Sequence, residues 1–271
     1  MWLHILRSDV GQGLGHPRQM FGAGDAPDLS TVDDPSAACL VAHYRALADL
    51  TDPQRSHASI AAVRDLAAAS GDPRLVTLIE VYLAVADLVA ERVDEAAAAI
   101  DALDGAASDD GYDRYMLHWA GWMTGLAEHD GATARRWMSR QHDYLDRTGI
   151  VETWLTTYSA AMCDVIEGGD VVRSLSRAVA LADREGYRAE ADCLLVLAYA
   201  EQCAGRLDTA AELVATAMHA RFNATAHHVL YRAVLEPRLR GGLDDAARRA
   251  ATDRGRTHDP GEVLAAYGVS V

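Results

Sequence analysis

The stretch Leu197-Ala-Tyr-Ala-Glu-Gln-Cys-Ala-Gly-Arg-Leu-Asp-Thr-Ala-Ala-Glu-Leu-Val-Ala-Thr-Ala-Met218 decides the fold of this chain. Its first half is rich in helix-forming residues and ends at Gly205, a residue type that favours the left-handed conformation after a helix. A second helical run then extends from Ala210 to Ala217. The stretch therefore predicts two helices joined by a short turn.

Imperfect copies of the motif Gly-Arg-Leu-Asp-x-Ala recur along the chain. They are Glu91-Arg-Val-Asp-Glu-Ala96, His129-Asp-Gly-Ala-Thr-Ala134, Gly169-Asp-Val-Val-Arg-Ser174 and Gly242-Leu-Asp-Asp-Ala246, with an early copy centred on Ala58. The anchors at 58, 96, 134, 174, 210 and 246 are 38, 38, 40, 36 and 36 residues apart. A period in the thirties with two helices per unit is typical of an α-solenoid.

Residues that favour the beginning or the end of a helix recur along the chain from Asp34 onward. Asp-Pro occurs at 34–35, 52–53, 72–73 and 259–260, where Asp caps the first free amides and Pro suits the first helical position. Glycines supply the stops, and no alternating strand pattern is present. We predict an all-α protein with helices over 36–50, 53–69, 73–91, 94–104, 111–128, 132–148, 151–167, 171–185, 188–204, 208–221, 224–239, 243–254 and 260–267.

The quoted stretch resembles a tetratricopeptide repeat in the spacing of its small residues. The matching positions are Leu197-Ala198, Ala200, Gly205, Leu207, Ala210 and Ala217. Residues 180–192 also resemble the repeat region of large bacterial LuxR-type and related signal-transducing ATPase regulators, and the likeness covers 34–256. The resemblance implies a right-handed superhelix of antiparallel helix pairs, with a role in protein binding and transcriptional regulation. Neither the ATPase module nor a terminal helix-turn-helix is visible in this sequence.

Composition and charge exclude several classes of function. The chain has 271 residues and a formal net charge of −15, which argues against direct nucleic-acid binding because phosphate neutralisation needs a basic footprint. All 25 basic residues are Arg. Schiff-base and pyridoxal-phosphate enzymes need a Lys amine, and P-loop nucleotidases need a Lys that reaches the phosphates. An Arg-only, Ala-rich chain also suggests a high-GC bacterial genome.

Cysteine usage and hydropathy predict a soluble, cytoplasmic protein. The four cysteines lie far apart without a Cys-x-x-Cys pair, and we interpret them as reduced thiols. No run approaches 18 apolar residues without a charge, so we expect no membrane span. Five glycines interrupt residues 1–33, which we interpret as a poorly ordered lead-in to a single repeat domain over 34–271.

No catalytic or metal motif emerges from the spacing. Asp109, Asp110 and Asp113 fit the Asp-Asp-x-x-Asp pattern by which all-α terpene synthases hold Mg²⁺, but they stand at a predicted helix start, where Asp caps amides. The eleven histidines show neither His-x-x-x-His nor His-Glu-x-x-His spacing, and no Gly-x-Ser-x-Gly elbow occurs. We therefore expect no metal and no cofactor.

The aromatic residues are concentrated in one region. Eight of seventeen lie within 47 residues: Tyr112, Tyr115, Trp119, Trp122, Trp137, Tyr144, Trp154 and Tyr158. They form either a core that fills the middle of the superhelix or an aromatic groove. If the first helix of each pair lines the concave face, that face includes Tyr115, His118, Trp122, Asp192, Tyr199, His228 and Tyr231. We predict that these residues and Trp119 bind the partner, with Trp122 and Tyr199 at the centre of the site.

Two hypotheses for function follow from these observations. The first is a non-catalytic helical-repeat module that binds a protein segment, a peptide or a small-molecule effector in a bacterial regulatory system. The alternative is an all-α enzyme or small-molecule-binding protein with an internal aromatic pocket. An open concave surface favours the first, and a closed cavity with converging polar groups favours the second.

Overall fold

A computed structural model describes residues 36, 38, 39, 42, 43, 46, 49, 52, 54–109, 111–148, 154–184, 188–220 and 229–270. All regular secondary structure within these residues is helical, which confirms the predicted all-α class. They divide into two units, the first ending at Thr148 and the second beginning at Trp154. The predicted lead-in over 1–33 lies outside the described residues.

Six helices of the first unit have assigned bounds. They are α1 Ser56–Ala61, α2 Arg64–Ser70, α3 Pro73–Val89, α4 Val93–Leu103, α5 Tyr112–Ala127 and α6 Gly131–Thr148. Helix α3 is apolar on nearly all sides and packs against α1, α2, α4 and α5. Helix α5 packs in turn against α3, α4 and α6. These two helices form the centre of the first unit, because neighbours cover them on several sides.

The second unit contains seven α-helices among its described residues. They are α7 Trp154–Glu167, α8 Val171–Arg184, α9 Glu190–Cys203, α10 Leu207–His219, α11 Glu236–Gly242, α12 Asp245–Gly255 and α13 Pro260–Ala266. Helix α9 packs against α7, α8, α10 and α13, and α10 packs against α12. In helix α8 the sequence pattern determines which face is buried. Its buried residues lie at i, i+3, i+4 and i+7 on one face, namely Leu175, Ala178, Val179 and Ala182.

Four helical hairpins, α3–α4, α5–α6, α7–α8 and α9–α10, share one turn geometry. After the first helix, one residue has a left-handed φ: 61° at Glu91, 61° at His129, 72° at Gly168 and 77° at Gly205. The next amide then donates to the carbonyl five residues back, namely Arg92 to Asp87, Asp130 to Gly125, Gly169 to Asp164 and Arg206 to Glu201, over 2.8–2.9 Å. This is the Schellman ending of a helix. It recurs at intervals of 38, 39 and 37 residues.

The second helix of each hairpin has a small residue at its fourth position. Ala96, Ala134 and Ala210 have no solvent exposure, which lets the paired helices approach closely. In the third hairpin Ser174 occupies the equivalent position, the fourth residue of the second helix. Its hydroxyl donates to the Asp164 carboxylate, so a hydrogen bond accompanies the departure from Ala.

Two of the Asp-Pro signals begin helices as predicted. The Asp72 carboxylate accepts from the Arg74 amide at 2.9 Å at the start of α3. Asp259 accepts from the Glu262 amide at 3.0 Å at the start of α13. These caps satisfy amides that have no partner within the helix.

Two predicted helices differ from the structure. The helix expected over 53–69 is divided into α1 and α2, because the Val63 amide bonds to the Ile60 carbonyl three residues back and tightens the chain there. The helix expected over 224–239 contains a π-helical segment, Tyr231–Leu235, and continues to Gly242. Only Glu236 separates the segment from Pro237, whose ring would clash with the Ala233 carbonyl in a regular α-helix.

None of the described helices is long and apolar enough to cross a membrane.

Candidate functional site

A charged cleft of about 690 Å³ lies in the first unit. It is lined by Asp104, Gly105, Asp109, Arg114, His118, Arg140, Asp143, Asp146 and Arg147. These residues come from the α4–α5 connection, from α5 and from α6. The volume falls within the range of small-molecule binding sites, and nearly every lining side chain is charged or polar.

Arg114 holds the α4–α5 connection in place. Its Nε donates to the Ser108 carbonyl at 3.0 Å, and its Nη2 donates to the Ala107 carbonyl at 2.7 Å. Its Nη1 donates to the Asp104 carbonyl at 3.0 Å and to Asp104 Oδ1 at 2.8 Å. Because these bonds occupy most of the guanidinium and the side chain is only 12% exposed, Arg114 shapes the wall of the cleft.

Asp104 also joins the connection to α6. Arg140 Nη2 donates to Oδ1 of Asp104 at 3.0 Å and to Oδ2 at 2.9 Å. The Arg140 guanidinium lies 4.6 Å from the centre of the Trp137 ring, within the range of a cation–π contact. One carboxylate therefore fixes two arginines that reach it from different helices.

His118 lies on the wall of this cleft and is 3% exposed. Its ring centre lies 5.9 Å from that of Trp137 and 6.2 Å, edge-on, from that of Tyr144. The buried Nδ1 has no hydrogen-bond partner. Burial, followed by the charges of Arg140 and Arg114, lowers the pKa of His118 to about 4, so the imidazole is neutral at pH 7.

The other predicted residues of α5 are buried and do not line the cleft. Tyr115 and Trp119 are each 5% exposed, and Trp122 is 2% exposed. The Trp122 indole Nε1 donates to Gln141 Oε1 at 3.1 Å, so its polar atom is satisfied inside the protein. Of the four residues predicted on this helix, His118 alone lines the cleft.

The remaining predicted residues belong to the second unit. Asp192 and Tyr199 are buried in α9. Tyr231 is half-buried, and its hydroxyl donates to Glu236 Oε1 at 3.3 Å. His228 lies outside the described residues. A role of these residues in partner binding stays a prediction.

The acidic cluster at the start of α5 includes a carboxylate that stabilises the turn before this helix. Asp113 Oδ2 accepts from the Ser108 amide at 2.8 Å, and its Oδ1 accepts from the Ser108 hydroxyl at 2.5 Å. Asp109 is exposed, with its Oδ1 3.9 Å from Arg114 Nη2, and Asp110 lies outside the described residues. Within the ranges that the structure describes, no three His, Cys, Asp or Glu side chains are placed to hold a metal ion.

Sequence reasoning missed the charged residues of the cleft. The available signal is the run of Arg140, Asp143, Asp146 and Arg147 beside the aromatic cluster. Arg140, Asp143 and Arg147 follow i, i+3 and i+7 and therefore share one face of α6. The contribution of Asp104 and Arg114 depends on tertiary contacts that spacing does not reveal.

Comparison with protein-family models, with curated proteins and with solved structures finds no match to this chain.

Proposed function

We propose that this protein is a non-catalytic helical-repeat module that binds a protein segment or an effector in a bacterial regulatory system. The observation that carries the proposal is the Schellman turn shared by four hairpins, two in each unit. Stacked helical hairpins present extended faces, which such proteins use to bind partners.

Helix packing within each unit supports a tetratricopeptide-like architecture. Helix α5 packs against both helices of the preceding hairpin, α3 and α4. Helix α9 likewise packs against α7 and α8. Contact between neighbouring repeats is what a solenoid requires. In the proposed architecture the hairpins of each unit are repeats of a right-handed superhelix.

We propose that the partner contacts those predicted residues that are accessible to solvent. Among the predicted residues that the structure describes in the second unit, this residue is Tyr231, which is half-buried and has the Arg232 guanidinium 5.4 Å from its ring centre. An aromatic ring beside an arginine suits an interaction hot spot. Tyr267 offers a matched control, because it is also half-buried and its hydroxyl donates to a glutamate, Glu201, at 3.2 Å.

The test is selection of peptides from a display library built from a high-GC bacterial proteome, using the full chain as bait. A selected peptide is then titrated by calorimetry into the wild type, Tyr231→Ala and Tyr267→Ala. We expect saturable binding that Tyr231→Ala weakens by about tenfold and Tyr267→Ala leaves unchanged. Absence of any saturable peptide, or equal losses in both variants, contradicts the proposal.

A second candidate function is small-molecule binding, with or without catalysis, beside the aromatic cluster. The cleft of the first unit favours it, because polar groups from three segments converge there on the partly aromatic surroundings of His118. Its test is the titration with small anions described in the next subsection.

A further inference from the structure

The charges around His118 are mixed. Arg140, Arg114 and Arg147 each disfavour a proton on the imidazole, whereas Asp104 favours one. The lining also contains Asp109, Asp143 and Asp146, so it carries four carboxylates and three guanidinium groups. A negatively charged group is therefore favoured only close to the arginines beside His118.

Two arginines retain hydrogen-bonding capacity toward the cleft. Arg140 uses Nη2 on Asp104 and is 39% exposed. Arg147 is exposed and has no ion pair or hydrogen bond in the part of the chain that the structure describes. Seven residues along one helix face correspond to about 10 Å, so the two guanidinium groups lie within reach of one small molecule. Arg114, in contrast, is occupied by the connection.

We propose that this cleft binds a small molecule with one oxyanion group, a carboxylate or a phosphate, held by Arg140 and Arg147 against His118. Guanidinium groups suit both oxyanions because they donate paired hydrogen bonds. The inference deepens the second candidate function by naming its ligand class. It does not depend on peptide binding.

The acidic lining restricts the rest of the ligand. Asp143 and Asp146 stand beside Arg147 and have no ion pair within the described ranges. They repel further negative charge and attract a cationic or hydrogen-bond-donating group. The ligand class is thus a molecule with a single oxyanion and a neutral or cationic remainder, and polyanions such as nucleic acids are disfavoured.

The unpartnered imidazole provides the readout. His118 is buried, and its Nδ1 lacks a hydrogen bond. An oxyanion bound beside the ring favours its protonated form and therefore raises the pKa of His118 from about 4. Ring signals of this histidine, followed by NMR in the full chain, report binding without any assumption about activity.

The experiment titrates inorganic phosphate, acetate and, as an ionic-strength control, sodium chloride. We expect saturable shifts of the His118 ring signals and a higher pKa with at least one of the two oxyanions, and no saturable change with chloride. The two arms distinguish a phosphate ligand from a carboxylate ligand. If neither oxyanion produces a saturable shift, the proposal is wrong.

Two arginine variants on α6 locate the site. Arg147→Gln removes a cleft residue, whereas Arg136→Gln removes an exposed arginine that does not line the cleft. We expect Arg147→Gln to weaken oxyanion binding by about fivefold and Arg136→Gln to leave it unchanged. Equal effects of the two variants indicate a diffuse ion atmosphere and overturn the proposal. The peptide titration uses Tyr231 in the second unit, so failure of either experiment is separate from the other.

Discussion

Glu91 and His129 hold the same left-handed backbone conformation, with φ of 61° at both, 38 residues apart. Each follows the first helix of a hairpin, where a side chain in this conformation costs about 1 kcal/mol. The chain has Gly168 and Gly205 at the equivalent points of the next two hairpins. The first two of these hairpin turns therefore retain backbone strain that the next two avoid.

Relief of this strain is measurable at His129. We expect His129→Gly to be more stable than His129→Ala by about 1 kcal/mol, because both remove the side chain but Gly alone adopts a positive φ freely. Urea denaturation of the two variants gives the difference. At Gly205, where φ is 77°, Gly205→Ala should be destabilised by a similar amount. Equal stability of the two His129 variants would show that the turn relaxes without cost.

Gly125 allows a close approach of the two backbones in the α5–α6 hairpin. A Cβ atom at this position would lie 2.4 Å from the backbone nitrogen of Ala134, which has no flexible side chain to move aside. We expect Gly125→Ala to lower the free energy of unfolding by about 2 kcal/mol or more. The control is Gly105→Ala, whose Cβ would meet nothing within 4 Å. A Gly125 variant as stable as this control would contradict the close packing of the two helices.

The hydrogen bond between Trp122 and Gln141 distinguishes a core role from a surface role. We expect Trp122→Ala to cost about 4 kcal/mol of stability, as for other large buried side chains. Trp122→Phe leaves the buried Gln141 amide without its donor, at a cost of about 2 kcal/mol.

Adding Gln141→Leu to Trp122→Phe should destabilise the protein by less than the sum of the single variants, because both polar partners are then removed. Urea denaturation of the four proteins completes the cycle. Strictly additive effects would mean that the hydrogen bond contributes nothing. If Trp122→Ala instead keeps full stability and abolishes peptide binding, Trp122 is a partner contact.

Acid destabilisation should carry a contribution from His118. Its pKa is about 4 in the folded chain and about 6.5 when unfolded, so the unfolded chain takes up the proton first as the pH falls. The contribution of neutral His118 to the free energy of unfolding is therefore fully present above about pH 6.5. It is lost as the pH falls toward about 4, with a slope of at most about 1.4 kcal/mol per pH unit.

Comparison of wild type and His118→Gln between pH 4 and pH 8 isolates this contribution. His43, which burial also gives a lowered pKa of about 3, is present in both proteins and contributes equally. Arg140, Arg114, Arg147 and Asp104 are likewise unchanged. We expect a shallower pH dependence in the variant. Parallel curves would show that His118 does not titrate differently on folding.

The sequence by itself determined the all-α class and those helix starts that depend only on residues nearby in the sequence. Asp72 and Asp259 cap helices through amides two or three residues ahead, so the pattern contains all that is needed. The approximate hairpin period followed for the same reason, since each turn is closed within six residues. The sequence did not reveal the left-handed turns at Glu91 and His129, because these turns lack the glycine that usually indicates this conformation.

Only the tertiary structure decided which side of α5 is covered. Tyr115, Trp119 and Trp122 have the same spacing whether they form a core or a groove, and the packing of α3, α4 and α6 against this helix buries them. The cleft is also a tertiary feature. Asp104 and Arg140 are 36 residues apart in sequence, and their hydrogen bonds exist because the α5–α6 hairpin returns the chain to the end of α4. Long-range pairing of this kind leaves no periodic signal, because neither residue type nor spacing records which distant side chain it meets.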